Sequence, residues 1–277
     1  MNLFKRILNF YINSSIHVAL AVYALTWVTL IQFGLDYNED VLCFVFFATI
    51  TGYNFIKYFG VAKFHHRSLT GWLKVIQLFS LIAFVVMSYY AYHLMANTLL
   101  ILSVFGLITF LYAIPLLPMK YFRDDQRNLR EISGFKIYVI ALVWAFTTVL
   151  LPLIDNGFNI SNDVIITSIQ RFIFVIVLML PFEIRDLNYD NLKLATIPQK
   201  IGIKNTKTIG VLLLVLFFVL EYFKDEWTSD SVLSTLIVGF VTLFLLIFSK
   251  KSQSKYYSAF WVESVPIVWL IILLMLG

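Results

Sequence analysis

The sequence predicts an all-α polytopic membrane protein with nine transmembrane helices. Three observations predict it. Hydrophobic residues make up 60% of the 277 and charged residues only 13%, too few charges to coat a soluble domain of this size. Apolar runs recur from one end of the chain to the other, each near the ~20 residues a helix needs to cross a hydrocarbon core. The charged connections between the runs segregate by sign, basic on one side of the threading and acidic on the other, as a threaded chain requires.

The runs follow in order. The first, 14–35, comes after Lys5 and Arg6 and stops at Asp36; the second, 40–59, starts at Asp40. The third and fourth, 72–93 and 97–118, flank a connection without charge, and prolines close the fourth. The fifth, 135–154, stops at Asp155, and the sixth, 164–183, starts after Asp163 and stops at Glu183. The seventh, 207–222, is short and extends into its flanks; the eighth and ninth are 231–249 and 257–276. All are read as helices, because a backbone in lipid must satisfy its own hydrogen bonds. Phe, Tyr and Trp near many run ends suit the headgroup region.

Nineteen of the 21 basic residues fall on one side of this threading. The opposite connections carry Asp36, Glu39, Asp40, Asp155, Asp163, Glu221, Asp225, Glu226 and Asp230, with Lys224 as their one base. The positive-inside rule makes the N-terminus cytoplasmic and, with nine spans, the C-terminus external, in a plasma or inner membrane. The net charge of +5 is thereby a topology signal and calls for no nucleic acid. Ala19-Leu20-Ala21 looks like a signal-peptidase site, but the apolar run continues past it, and the first span is read as retained. Cys43 is the sole cysteine, which excludes a disulfide or a thiolate metal centre.

The polar chemistry gathers after even-numbered spans. Glu183, Asp186 and Asp190 are spaced by three and four residues at the end of span six, which puts them on one helical face. A carboxylate inside a membrane costs about 3 kcal/mol and marks function by default. Clustered acids at a membrane surface suit a divalent cation carrying a diphosphate. The plain alternative is a solvated helix end. After span four comes Tyr112-x-x-Pro115 with Lys120, and after Arg185-Asp186-x-x-x-Asp190 comes Thr196-x-Pro198-x-x-x-Gly202.

At these residues the chain resembles the UbiA superfamily of intramembrane prenyltransferases, over essentially its whole length. The resemblance implies a UbiA-like bundle, with 1–277 as a single transmembrane prenyltransferase domain. It implies transfer of a prenyl group from a polyprenyl diphosphate to a lipophilic acceptor, with Mg²⁺ as cofactor and membrane lipid around the site. Asp186 and Asp190 match the metal ligands of the family's second aspartate motif, and Glu183 stands one turn earlier. Tyr112, Lys120 and Arg185 match polar positions near the diphosphate. Lys120 reads equally as a topology anchor, Tyr112 as an interface aromatic, and Arg185 as the partner of a neighbouring acid.

The first motif departs from the family. Its asparagine matches Asn54, but Phe55, Tyr58 and Ala62 replace its three aspartates, and no acid occurs between Asp40 and Asp124. The two-metal clamp cannot be assembled. Lys57, Lys63, His65, His66 and Arg67 make the segment basic, which suggests one Mg²⁺ on Asp186 and Asp190 and direct ion pairing of the diphosphate with Lys57 or Lys63. The plain alternative is that these bases obey the positive-inside rule. A second reading therefore stays open: a catalytically degenerate relative that binds an isoprenoid lipid or a partner membrane protein.

Smaller expectations follow. Glu263 and Arg171, charged residues inside spans nine and six, pair with each other or face the cavity. His17, Asn54 and Gln77 are candidate interhelical hydrogen-bond partners. Spans one to eight enclose the cavity and span nine packs at its edge.

Overall fold

The computed structural model describes residues 3–64, 71–113, 136–187 and 196–277, with backbone alone at 59–64 and 108–113. The chain forms α1 (Leu3–Asn13), α2 (Ile16–Gln32), α3 (Glu39–Phe64), α4 (Gly71–Ala91) and α5 (Ala96–Ala113). Then come α6 (Lys136–Ala145), a π-helical stretch Phe146–Leu150 and α7 (Leu151–Asp155), followed by α8 (Asn162–Asp186). Next are α9 (Ile197–Val219), which closes in a 3-10 turn, and α10 (Ser229–Phe248). A π-helical stretch Tyr257–Val262 leads into α11 (Val265–Leu276).

Among the described residues, seven helices are long and apolar enough to cross a membrane, or eight if the bent pair α1–α2 counts as one. This is an integral membrane protein, and the described residues do not establish the expected count of nine spans. The elbow between α1 and α2 turns by 55°, and the described apolar part of α5, Ala96–Leu107, is shorter than a span. The seventh span is much longer than expected, because its helix begins at Ile197.

That start explains the Thr-x-Pro-x-x-x-Gly spacing. Gln199 Oε1 accepts the Thr196 N–H at 3.0 Å, which satisfies a donor a helix start leaves open. Pro198 sits in the first turn, where its missing N–H costs nothing. Gly202 then breaks the helix with φ 77° and ψ 161°, a backbone conformation essentially reserved for glycine.

α8 runs through the middle of the bundle and is the most buried span, while α4 is the least and turns Leu78, Leu81 and Val85 outward. Gly210 of α9 lets that helix approach Leu180 of α8 and Leu246 of α10 so closely that an added methyl would overlap both, the small-residue contact that membrane helices use in place of a hydrophobic driving force.

Span nine does not sit at the edge. His17 Nε2 of α2 bonds the Phe260 carbonyl at 2.9 Å and approaches Ser264 Oγ at 3.2 Å. Further along, Trp269 of α11 is 3% exposed and packs its ring on Phe174 and Phe217. Polar groups in the span find their partners on α2, which draws the span inward.

Arg171 and Glu263 do not pair. Arg171 donates to the Leu25 carbonyl at 3.0 Å and to Thr29 Oγ1 at 3.2 Å, and its guanidinium lies 5.1 Å from the Trp269 ring centre. Its charge neighbour is Glu221, which is bonded to Gln170, Lys224 and Ser231. Burial pulls the Lys224 ammonium below the usual lysine range, and Glu221 partly offsets this. The result is a sealed polar knot at the acidic end of the bundle.

Candidate functional site

At the basic end, the site is built around the α1–α2 elbow. Ser15, the one non-glycine residue with positive φ among the described residues, sits there at φ 65° and ψ 17°. Such a backbone costs about 1–3 kcal/mol and persists only where its surroundings over-determine it. α3 supplies those surroundings. Asn54, 3% exposed, donates to the Ser14 carbonyl at 3.0 Å and to Ser80 Oγ at 2.8 Å, and accepts from Ser15 Oγ at 2.8 Å. One turn on, Lys57 Nζ donates to Ser15 Oγ at 2.8 Å, and Tyr58 donates its hydroxyl proton to the Asn13 carbonyl at 2.9 Å.

These are the positions where the first aspartate motif was expected and not found. Asn54 is filled by the elbow, so its amide is an interhelical tie, as expected for His17 also. Lys57 keeps two further protons beyond the Ser15 bond, so its ammonium still has donors to offer.

The last turn of α8 brings the second group. Arg185 Nε donates to Asp186 Oδ1 at 2.7 Å, and the guanidinium lies over Phe182. Of the readings for Arg185, pairing with a neighbouring acid is thereby realised. Glu183 is 3% exposed and accepts the Ile197 N–H at 3.3 Å. Its carboxylate tethers the start of α9 to α8. Asp190 and Lys120 lie outside the described residues, and so do the side chains of Tyr112 and Lys63.

A cavity of about 610 Å³ opens beside Asp186, lined by Asn9 and Asn13 of α1, Arg185 and Asp186 of α8, and Lys251 and Lys255 from the α10–α11 connection. That connection is fastened to α8: Gln253 Nε2 donates to the Pro181 carbonyl at 2.8 Å and to Ser258 Oγ at 2.6 Å. Asn9 Oδ1 accepts from Lys255 Nζ at 2.9 Å and from the Tyr256 hydroxyl at 2.8 Å. The cavity holds more cations than acids, and that balance suits a polyanion.

Among the described residues no three His, Cys, Asp or Glu side chains gather as a metal site. Mg²⁺ asks less than that, since it keeps waters and binds through one or two carboxylates plus substrate phosphates. Asp186 fits such a role. Glu183 does not, being buried and occupied.

The sequence reading missed Lys251 and Lys255 as site residues. They were read only as topology charges, and a lysine in a short loop gives the same signal in either role. Asn9 carried no signal, because only the elbow returns α1 to the cavity.

No protein-family model matches the sequence, and no curated protein matches it. One solved structure does, that of a digeranylgeranylglyceryl phosphate synthase in membranes: it covers 98% of this chain and 96% of that chain, with a TM-score of 0.57 at 15% identity. The likeness runs end to end, and the chain is accordingly an all-α membrane protein that shares the fold of that synthase.

Proposed function

We propose that this chain is a UbiA-like membrane prenyltransferase that moves a prenyl group from a polyprenyl diphosphate to a lipophilic acceptor. The observation that carries the reading is the cavity in which Asp186 stands beside Arg185, Lys251 and Lys255. Its basic lining supports binding of the diphosphate, and the apolar bundle beside it supports burial of the prenyl tail in or near lipid. The basic end is the cytoplasmic one by the positive-inside rule, with the N-terminus on that side.

Asp186 and Asp190 are the residues to hold Mg²⁺. Bound there, Mg²⁺ supplies charge neutralisation to the diphosphate as it leaves. Arg185, Lys251 and Lys255 orient the diphosphate and meet the negative charge that grows on it as the allylic carbon–oxygen bond breaks. Lys57, which has donors left after its Ser15 bond, is a further candidate for contact with the diphosphate, and Lys63 is one by its place in the sequence. Tyr112 and Lys120 are proposed as further diphosphate contacts on the family resemblance alone.

The test is thermal stability of the detergent-solubilised protein with geranylgeranyl diphosphate, with and without Mg²⁺, on wild type and Asp186→Ala. Ligand at about 100 times its Kd stabilises the folded state by roughly 2.7 kcal/mol. A Mg²⁺-dependent rise that Asp186→Ala loses supports the proposal; no rise with any prenyl chain length refutes it.

A second reading is favoured by a different observation. The first-motif positions Asn54 and Tyr58, with Lys57 between them, hold the elbow, work compatible with a catalytically degenerate relative that binds an isoprenoid lipid or a partner membrane protein. Metal-independent binding without prenyl transfer to any acceptor would favour it.

A further inference from the structure

Glu263 is a carboxylate that neither aspartate motif predicts. It follows the π-helical stretch Tyr257–Val262, and its side chain is half-buried. Tyr256 and Ala259 line the cavity. Glu263 stands four residues beyond Ala259, so it continues the same helical face one turn deeper into the bundle. Two cations lie within its electrostatic range: Lys57 of α3 and Arg185 of α8. Arg185 is in turn bonded to Asp186. The charges thus alternate Lys57, Glu263, Arg185, Asp186 across the space between α3 and α8.

Among the described residues no donor bonds the Glu263 carboxylate. This contrasts with the other acids inside spans: Glu221 takes bonds from Gln170, Lys224 and Ser231, and Glu183 takes one from Ile197. A carboxylate in a span costs several kcal/mol unless its oxygens are satisfied. Glu263 has neighbouring cations but open lone pairs. Those lone pairs are hard oxygen donors of the kind Mg²⁺ takes.

We propose that Glu263 stands in for the absent first aspartate motif: it holds a Mg²⁺–diphosphate from the side opposite Asp186, with Lys57 beside it contacting the diphosphate. The inference rests on the prenyltransferase reading and adds a ligand from the α11 side that the family pattern does not contain. It also gives Lys57 a purpose beyond the elbow: Glu263 offsets its charge in the site, and a diphosphate would receive its remaining donors.

The test titrates Mg²⁺ at fixed geranylgeranyl diphosphate on the full chain in detergent and reads the melting temperature. Wild type, Glu263→Gln, Glu263→Asp and Asp186→Ala are compared. Loss of a ligand raises the Mg²⁺ concentration at half-maximal shift about tenfold or more in Glu263→Gln. Glu263→Asp keeps the charge, serves as the readout should the amide variant fail to fold, and raises the midpoint by a smaller step. Unmoved midpoints in Glu263→Gln and Glu263→Asp, with the shift lost in Asp186→Ala, overturn the inference and leave the prenyltransferase reading standing. No shift in wild type overturns both.

Discussion

Ser15 Oγ donates to Asn54 Oδ1 at 2.8 Å, and this bond fixes where α1 goes. It joins a left-handed serine at the elbow to an asparagine on α3, thirty-nine residues on. With the Ser14 and Ser80 bonds, every polar atom of the Asn54 amide has a partner except one lone pair. α1 is thereby held over the cavity.

Asn54→Ala therefore acts on stability first. It leaves the Ser14 carbonyl and the Ser15 hydroxyl without their buried partner, at about 1–3 kcal/mol. A lower melting temperature without diphosphate is the expected result. An unchanged one would mean that Lys57 and Tyr58 hold the elbow without Asn54.

Gly202→Ala tests the break in α9. Nothing lies within 4 Å of an added Cβ there, so the only penalty is the φ of 77°. That penalty is about 1–3 kcal/mol. Thermal melting should show it, and Gly202→Ala should be far milder than Gly210→Leu, where the obstacle is packing against Leu180 and Leu246.

Arg171→Met removes a fully buried charge while Glu221 keeps Lys224. The Leu25 carbonyl and Thr29 hydroxyl lose a donor, and the expected loss is roughly 3 kcal/mol. Arg171→Lys should recover little of it, because a lysine cannot reach both acceptors and lie flat over Trp269. Wild-type melting of Arg171→Lys would show that charge alone matters.

Lys251→Ala and Lys255→Ala test the cavity's cations. A charged hydrogen bond contributes about 1.5–3 kcal/mol, so each change should weaken diphosphate binding about tenfold or more. The concentration of geranylgeranyl diphosphate giving half the thermal shift measures it. Lys204→Ala, which lies outside the cavity lining, should leave that concentration unchanged.

Much of this protein can be read in its sequence because lipid imposes a simple rule. Runs 72–93 and 164–183 emerge as Gly71–Ala91 and Asn162–Asp186, since apolar length sets a span's extent. Thr196, Pro198 and Gly202 stood in the sequence as motif residues only, and the helix start and break they form lay outside the seventh run, 207–222, because apolar length alone set its bounds. The elbow was hidden, because Asn13-Ser14-Ser15 contains no glycine to announce a left-handed residue, and the first span seemed to begin there. Glu263 was noticed as an intramembrane acid that pairs with Arg171 or faces the cavity, and the pairing is not realised. Distance along a span does not reveal which end of the bundle a charge will face, and Arg171 lies at the other end.

The Arg171 arrangement constrains how the molecule is made. Leu25 and Thr29, which accept from it, are on α2, and the ring beneath it, Trp269, is on α11. During synthesis α2 is in place before Arg171 leaves the ribosome, but the indole arrives about a hundred residues later. Until then one face of the guanidinium has only lipid or a chaperone to meet. Insertion of α11 is the step that seals the bundle, and a nascent chain stalled before it should be a target for membrane quality control.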